Sequence, residues 1–297
     1  MKIAFIGLGA MGGPMALNLQ AAGHEVRAYD LRRIAGFGHW RPSAAEAASG
    51  CEVAFTSLPG PGEVEEVGKA LKNALKQGSA WFDLSTNSPH RIRRLHEEFS
   101  RQGVHVLDAP VSGGPKGAKA AKLAIWVGGE RAIYDKHEPL LRTIGDQPLY
   151  AGPIGAGTVA KLAHNCASFS IQAALAEIFT LGVKGGVEPL ALFRALRQGA
   201  TGRKRTFDRL AEHFLSGRYD PADFTVRLAY KDVTLALELA DDCRVPMKVG
   251  RIALEELGEA MQRGWAERDC RIAMTLQEER AGVSVRVPAD EIAKALD

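Results

Sequence analysis

The amino-acid sequence predicts an α/β protein in two parts, a doubly wound parallel sheet followed by an all-α domain built on a long inter-domain helix. Three observations predict this fold. Short apolar runs alternate with helical stretches in the first half, a glycine-rich turn follows the first run, and helical periodicities with little strand signal fill the second half. The expected domains are residues 1–154 and 155–297, and the chain after about Gly282 is expected to be a loose tail.

The composition is that of an ordinary globular protein. Hydrophobic residues make up 46% of the 297 residues and charged residues 25%, and the formal net charge of +3 gives no case for nucleic-acid or membrane binding. Glycine interrupts the N-terminal apolar run after Ile6, without a signal-peptide core or cleavage site, and no stretch approaches the ~20 apolar residues of a spanning helix. We therefore expect a soluble, cytoplasmic protein with neither nucleic acid nor membrane as partner.

Cysteine usage argues against a disulfide framework or a zinc site. The cysteines are scattered along the chain without CxxC pairing, at Cys51, Cys166, Cys243 and Cys270. This usage suits a reducing cytosol. No metal is expected.

The strands of the first half are short apolar runs. KIAFI ends in glycine, as a buried parallel strand does, and MGGPMALNLQAAG then has a helical apolar pattern that closes at Gly23. Further strands are expected at EVRAY, EVAFTSL, AWFDLS and VHVLDAP, separated by helical stretches such as GEVEEVGKALKNALKQG and PHRIRRLHEEFSRQG. LAIWVGG, a helix around Tyr134 to Ile144, and QPLY complete this domain.

The pattern changes to successive helices from about Gly155, with LAYKDVTLALELADD and MKVGRIALEELGEAMQRG as clear examples. The segment from Gly157 to about Lys184 is apolar over most of its surface. It is therefore expected to be covered by other helices or by another subunit.

The glycine-rich turn has the spacing of a dinucleotide site in a Rossmann domain. Gly7, Gly9 and Gly12 form G-x-G-x-x-G between a strand and a helix. Glycine permits the tight turn, the approach of backbone to pyrophosphate and close helix–sheet packing, and the helix N-terminus offers free N–H groups. A tight turn without function is the alternative, but Asp30 ends the second strand at the expected separation of ~20 residues. The predicted cofactor contacts here are Gly7, Leu8, Gly9, Ala10, Met11, Gly12 and Asp30.

Asp30 bears on the choice of cofactor. Its carboxylate can accept hydrogen bonds from the adenosine ribose, whereas a 2′-phosphate would meet a like charge. Arg32 and Arg33 follow at once and would either meet a phosphate or lie on a solvated loop. We expect NAD, with NADP possible.

Five motifs follow one another along nearly the whole chain: GLGAMGGPMALNL, DLSTNSP, DAPVSGGPKGAKAAKL, GAGTVAKLAHN and KDVTLAL. The ordered set resembles the β-hydroxyacid dehydrogenase family, which includes 3-hydroxyisobutyrate dehydrogenase and tartronate semialdehyde reductase. The resemblance implies an oxidoreductase that interconverts a short 3-hydroxy acid and its semialdehyde. It also implies a small anionic substrate and a homodimer or homotetramer.

The resemblance assigns roles to particular residues. On the cofactor side it implies contacts from Leu58, Pro59, Thr86 and Lys231. Backbone N–H groups around Ser112, Gly113 and Gly114 would hold the substrate carboxylate, as neutral donors in a glycine-rich loop can. Lys161 and Asn165 match the catalytic lysine and the substrate-binding asparagine of the family.

A polar stripe runs along the long apolar helix. Residues three or four positions apart share a helix face, which groups Thr158, Lys161, Asn165, Ser168 and Gln172 on an otherwise buried helix. The residues alone leave two bland alternatives, the hydrated side of an amphipathic helix or a polar subunit contact. The resemblance favours function. His164 beside the stripe is expected to be a packed or surface residue, since the family does not rely on it.

The chemistry implied for Lys161 is general acid–base catalysis. The amine would take the proton of the substrate hydroxyl in oxidation, and the ammonium form would protonate the developing alkoxide in reduction. Free lysine has a pKa near ~10.4, so the neutral form requires burial and the nearby positive charge of the oxidised nicotinamide ring, both of which lower that pKa. Asn165 would orient the substrate.

Two departures from the family pattern concern loops of the first domain. DLRRIAGFGHWRPSAAEAASG is shorter than the usual connection between the second and third strands, so its helix is expected to be trimmed and the adenosine edge more open. Ala121 and Lys122 stand where the family commonly has glycine and a small hydroxyl residue. Lys122 is expected to be solvated surface.

The third departure is the turn ATGRKRT, where the family often has a small serine-bearing turn. Its cations would begin a helix, where the dipole disfavours them. Either other groups neutralise them, or Arg203 or Lys204 faces a second anionic group on a substrate larger or more charged than 3-hydroxyisobutyrate.

The presence of Lys161 distinguishes the leading function from its alternatives. Imine reductases on the same fold usually lack it, and decarboxylating 6-phosphogluconate dehydrogenases are mostly longer. A non-catalytic dinucleotide-binding scaffold, the rival from another class, would not need the Lys161–Asn165 pair.

Overall fold

A computed structural model describes residues 1–203 and 210–296. Within the helices, the following side chains are not described: Ala173, Ala176, Ala200, Glu212, Lys231, Asp232, Leu235, Glu238, Leu239, Asp242, Lys294, Ala295 and Leu296. The chain forms two compact units, Met1–Ala167 and Ser168–Asp297.

The first unit is a doubly wound α/β domain, as predicted. Its strands are β1 (Lys2–Ile6), β2 (Glu25–Tyr29), β3 (His39–Trp40), β4 (Val53–Thr56), β5 (Ala80–Asp83), β6 (His105–Asp108), β7 (Val111–Ser112), β8 (Ala124–Gly128) and β9 (Gln147–Gly152). They form one sheet in the order β3-β2-β1-β4-β5-β6-β8-β7, with β9 on β8. Pairing is parallel throughout except that β8 runs antiparallel to β6 and β7.

Helices connect the strands and cover both faces of the sheet. They are α1 (Gly12–Ala21), α2 (Ala44–Ala48), α3 (Pro61–Leu71), α4 (Pro89–Ser100), α5 (Gly114–Lys119) and α6 (Arg131–Leu141). The central strands β4 and β5 are fully buried, which explains their unbroken apolar sequences. One core cluster includes Phe5, Phe55 and Phe82, and the other includes Ile6 and Trp81. The alternation of side chains along a strand divides each strand between these two layers.

The connection after β2 is short, as expected. Residues 30–38 contain turns and bends, and the two-residue strand β3 precedes the five-residue helix α2. Ser43 caps α2 by accepting the Glu46 backbone N–H at 3.1 Å.

Helix α7 (Ala156–Lys184) begins in the first unit and ends in the second. The expectation of an otherwise buried helix is wrong for the single chain, because apolar side chains along it are exposed: Leu162 by 41%, Phe169 by 66% and Leu175 by 44%. Periodicity detects an apolar surface but does not tell what covers it.

Helix α7 is also long and apolar enough, by length and composition, to cross a membrane. The expectation that no stretch approaches this length was therefore wrong. Its polar side chains bond folded parts of the chain: Lys161 donates to the Val111 carbonyl, and Glu177 accepts the backbone N–H groups of Val249 and Gly250.

In the described part of the second unit the regular elements are helices, and Thr225 and Asp269 form one isolated bridge. After α7 it contains α8 (Pro189–Gln198), α9 (Ala200–Arg203), a π-helical turn (Ala211–Leu215), α10 (Val226–Asp242), α11 (Lys248–Gln262), a 3₁₀ turn (Cys270–Met274), α12 (Thr275–Ala281) and α13 (Ala289–Leu296). One small core surrounds Leu181 and Leu237, and another surrounds Val226 and Ile272.

The segment after Gly282 is not the loose tail that its sequence suggested. It carries α13, and its first residues are held to the rest of the unit. Arg286 pairs with Glu278 at 2.9 Å, and the Val287 backbone N–H donates to the Leu215 carbonyl at 2.9 Å. The buried Glu278 carboxylate and the Leu215 carbonyl both hold this chain segment, and such contacts leave no periodic pattern in the sequence.

His213 is the centre of a cluster of hydrogen-bonded polar side chains in the second unit, which we call the His213 cluster. Its Nδ1 lies 2.8 Å from the Arg218 carbonyl oxygen, and its Nε2 lies 3.0 Å from Asp223 and 3.7 Å from the fully buried Asp269. The ligand atoms of the three side chains lie within 4.8 Å of one another, a spacing that a metal ion could use. Asp269, however, is already paired with the Arg271 guanidinium through both oxygens at 2.8 Å. We therefore interpret the His213 cluster as a network of ion pairs and hydrogen bonds.

The His213 cluster predicts that the free energy of unfolding depends on pH. Burial lowers the pKa of His213, but the bonds to Asp223 and Arg218 and the charge of Asp269 outweigh it and leave that pKa raised. A raised pKa in the folded state stabilises the protein below the unfolded value of ~6.5, and this contribution is lost as pH rises through the folded value. His213→Gln should lower the free energy of unfolding by about 1–3 kcal/mol near pH 5.5, and by less near pH 8.5.

Urea denaturation at the two pH values measures this difference. The exposed His90, changed to Gln, is the matched control and should show no such effect. Equal destabilisation of His213→Gln at both pH values would contradict the account.

Candidate active site

A cleft of ≈ 570 Å³ lies at the carboxyl ends of β1, β2 and β4. It is lined by Gly7, Gly9, Ala10, Met11, Gly12, Asp30, Leu58 and Pro59, among others. The neighbouring Leu8 is buried, and its backbone N–H donates to Asp30 Oδ2 at 2.6 Å. The structure therefore brings the predicted residues of the glycine turn together with Asp30.

The glycine turn fits a dinucleotide. A Cβ atom on Gly12 would lie 1.9 Å from the Gly7 carbonyl oxygen, and one on Gly7 would lie 2.3 Å from the Ser57 carbonyl oxygen, so packing excludes larger residues. Gly9 has open space where its Cβ would be, which leaves room for a ligand against the backbone. Helix α1 begins at Gly12 without a side-chain cap, and the backbone N–H groups of Gly13 and Met15 donate to the carbonyls of Gly9 and Met11. An uncapped helix start of this kind is where phosphates commonly bind.

The buried Asp83 carboxylate fixes the conformation of the loop DLSTNSP. This carboxylate accepts from Thr56 Oγ1 at 2.9 Å, from the Ser85 backbone N–H at 3.1 Å and from Asn87 Nδ2 at 2.8 Å. Burial raises its pKa, and the hydrogen bonds offset part of that rise. Thr86, in the middle of the loop, remains exposed. The loop is thus fixed with Thr86 available to a ligand.

The substrate loop bends sharply after Ser112. Gly113 and Gly114 have φ of 134° and 64°, in the left-handed region that favours glycine. Ala121, where the family commonly has glycine, also has a positive φ of 53°. Lys122 is exposed, in agreement with a solvated surface residue.

The start of helix α7 is fixed by Asp108, which ends β6 and is only 1% exposed. Its Oδ1 accepts the Gly155 backbone N–H at 2.7 Å, and its Oδ2 accepts the Thr158 backbone N–H at 2.6 Å. A carboxylate at a helix N-terminus bonds otherwise unsatisfied N–H groups and interacts favourably with the helix dipole. Thr158 itself is fully buried.

Lys161 lies one turn after this anchor. Its Nζ donates to the Val111 carbonyl oxygen at 2.7 Å and lies 5.9 Å from the centre of the Trp126 ring. Burial lowers the pKa of Lys161 from its ordinary value. Asn165 follows one turn later and is half-buried.

A second cavity of ≈ 290 Å³ adjoins the cleft and shares Met11, Ser57 and Leu58 with it. Its other lining residues are Leu84, Ser85, Thr86, Val111, Ser112, Gly113, Gly114 and Lys161. The structure therefore brings three separate predicted motifs to one cavity, the nicotinamide loop, the substrate loop and the lysine. Asn165, one turn after Lys161 on α7, does not line the cavity.

Two predicted contacts, Lys204 and the Lys231 side chain, lie outside the described part of the chain. Arg203 is exposed and is the last described residue before positions 204–209. Its role toward a substrate stays a prediction.

The first unit thus joins a dinucleotide cleft to a small cavity that contains a lysine of lowered pKa and a glycine-rich loop. Such a site defines a nicotinamide-dependent oxidoreductase.

Comparisons with known proteins give the family. Residues 2–152 match a family model described as the NAD-binding domain of 6-phosphogluconate dehydrogenase, and residues 155–276 match the NAD-binding domain of NADP-dependent 3-hydroxyisobutyrate dehydrogenase. The chain is 35% identical to 2-(hydroxymethyl)glutarate dehydrogenase of Eubacterium barkeri, over 96% of this chain and 97% of that one.

Solved structures of similar fold were also found. Mycobacterium tuberculosis 3-hydroxyisobutyrate dehydrogenase with L-serine has a TM-score of 0.65 and 30% identity, over 92% of this chain and 98% of that one. An imine reductase from Pseudomonas sp. has a TM-score of 0.79 with 19% identity, over 92% and 98% of the two chains, and shares the fold alone. The chain belongs to the β-hydroxyacid dehydrogenase family and binds NAD or NADP.

The contacts of three side chains in this region were not predicted from the sequence. Asp83 and Asp108 were recognised only as letters of their motifs, although each one fixes a loop or a helix end. His164 is exposed, as expected for a surface residue, and its Nε2 lies 3.3 Å from Ser112 Oγ. Because 52 residues separate this pair, no local pattern indicates the contact.

The Asp108 anchor gives a testable prediction. In Asp108→Asn one acceptor oxygen becomes an NH₂ group that faces a backbone N–H, so one of the two bonds is lost. We expect the free energy of unfolding to fall by about 1–3 kcal/mol and turnover to fall with it, because Lys161 follows the start of the helix. Thermal denaturation and initial rates measure the two effects.

The exposed Asp146, changed to Asn, is the matched control. A mutant Asp108→Asn with the stability and turnover of the parent would show that the anchor is dispensable.

Proposed function

We propose that this protein is an NAD-dependent dehydrogenase of short 3-hydroxy acids, HOCH₂–CHR–COO⁻, which it interconverts with their semialdehydes. The observation that carries the proposal is Lys161, whose ammonium group lies in a cavity between Thr86 and the Ser112–Gly114 loop. The names of two similar proteins, which refer to 2-(hydroxymethyl)glutarate and to L-serine, denote acids of this form.

Lys161 acts as the general base in oxidation and the general acid in reduction. The Val111 carbonyl accepts one of its N–H groups at 2.7 Å and thereby fixes the direction of the amine. The remaining positions on Nζ are free to hold the substrate hydroxyl. Burial favours the neutral amine that must accept the hydroxyl proton. NAD held in the cleft by the glycine turn and Asp30 would supply the hydride acceptor.

The substrate carboxylate binds at the glycine-rich loop. Gly113 and Gly114 have open backbone conformations next to Ser112, and backbone N–H groups in such a loop form an anion-binding concavity. Asn165 orients the substrate from the helix. Fixing both ends of the acid places its hydroxymethyl carbon toward Thr86 and the cofactor side of the cavity.

NAD is the preferred cofactor. Acidic groups line the cleft at Asp30, Glu63 and Glu66, and they disfavour the additional phosphate of NADP. Arg32 and Arg33 are exposed and do not line the cleft. A higher kcat/KM for NAD than for NADP supports this assignment, and the reverse ranking contradicts it.

The central test replaces the lysine. Lys161→Met should bind NAD as the parent does but lose at least the roughly 10²–10⁴-fold in turnover that acid–base groups typically supply. Oxidation by the parent should rise with pH as Lys161 loses its proton. Initial rates with a panel of 3-hydroxy acids, including dicarboxylic ones, measure both.

Lys119→Met is the matched control, since Lys119 is exposed on α5. Turnover of Lys161→Met near that of this control would refute the role of the lysine. Tight NAD binding without turnover of any acid by the parent would favour a scaffold or an imine reductase instead.

The protein works in the cytoplasm as a homo-oligomer, a dimer or tetramer. The exposed apolar side chains of α7, Phe169 foremost, supply a surface that a second copy would cover. Phe169→Glu should therefore yield a smaller species in sedimentation velocity. Leu149→Glu, which changes another exposed apolar residue, should not. A monomeric parent, or an unchanged Phe169→Glu, would contradict this assembly.

A further inference from the structure

His164 occupies a defined place beside the cavity. It lies three residues after Lys161 on α7, so both side chains point to the same side of the helix. Lys161 reaches the Val111 carbonyl, and His164 Nε2 lies 3.3 Å from Ser112 Oγ. Two successive residues of β7 are thus held by two residues of one helix face.

Trp126 supports this arrangement from β8. Its ring centre lies 5.0 Å from that of His164 at an interplanar angle of 47°, and 5.9 Å from Lys161 Nζ. Trp126 is half-buried and His164 is exposed. The tryptophan therefore restricts the orientation of an imidazole that the protein core does not enclose.

The contact decides where the proton of Ser112 can point. A serine hydroxyl has one proton to donate and two lone pairs to accept with. If His164 accepts that proton, Ser112 has nothing left to donate to a carboxylate. If His164 Nε2–H donates to Ser112 Oγ, the hydroxyl proton is free to point into the cavity, where an anion would bind it.

We propose that His164 is a positioning residue that donates Nε2–H to Ser112 and so directs the Ser112 hydroxyl toward the substrate carboxylate. The inference rests on the proposed function, because it concerns how the same cavity recognises a hydroxy acid. It assigns His164 to binding and leaves the proton transfer to Lys161.

A set of variants tests the role. His164→Phe keeps a ring against Trp126 but removes the donor, and His164→Gln keeps an N–H group near the position of Nε2. Ser112→Ala removes the acceptor, and the double variant His164→Phe/Ser112→Ala completes the cycle. Initial rates are measured with 3-hydroxyisobutyrate or L-serine, whichever the parent turns over, at saturating NAD.

We expect His164→Phe to raise the KM for the acid by about 2–10-fold, the value of one hydrogen bond. The kcat and the KM for NAD should stay near those of the parent. His164→Gln should recover much of the loss. Ser112→Ala should raise the KM similarly, and the double variant should lose little more, because both changes remove one shared interaction.

The contrary outcomes are distinct. Independent, multiplying effects of the two single changes, an unchanged KM in His164→Phe, or a fall in kcat alone would overturn the positioning role while the proposed function stands. A parent that turns over no hydroxy acid would overturn the proposed function, and this inference with it.

Discussion

The site depends on one interaction, the hydrogen bonds that the Asp108 carboxylate accepts from backbone N–H groups at the start of helix α7. The bonds to Gly155 and Thr158 fix both the position and the rotation of the helix at its start. The approach is close, since a Cβ atom on Gly157 would lie 2.1 Å from the Trp126 carbonyl oxygen. Lys161 comes one turn later, so a change in this contact changes the direction of its amine. A hydrogen bond to a charged group contributes ~1.5–3 kcal/mol, a large share of the stability of one domain.

The same principle recurs around the cavity. Parallel strands β1, β4, β5 and β6 end at one edge of the sheet, and the loops that leave this edge carry the ligand-facing residues. Two buried carboxylates hold parts of the site: Asp83 holds the loop of Thr86, and Asp108 holds the helix of Lys161. Val111 and Ser112 are held in turn by Lys161 and His164. Preorganisation of this kind allows a small cavity to orient an alcohol without a large binding surface.

Much of the first domain was predictable, because its features are local. KIAFI, EVRAY and AWFD are strands close to where their apolar runs predicted them, and the glycine spacing located the cleft. The two-residue strands β3 and β7 were not predicted, since so short a strand has no period. The exposure of Phe169 and the tie of the final segment through Glu278 depend on what surrounds them. The His164–Ser112 contact also needed the fold, because the partners meet only through it.

Isotope transfer tests the proposed hydride transfer from the hydroxy acid to NAD most directly. A short 3-hydroxy acid deuterated at the carbon that bears the hydroxyl is incubated with the protein and NAD, and the reduced cofactor is analysed by mass spectrometry and NMR. We expect one deuterium at C4 of the nicotinamide ring, together with the semialdehyde in equal amount. Reduced cofactor without deuterium, or intact acid in the presence of bound NAD, would contradict it.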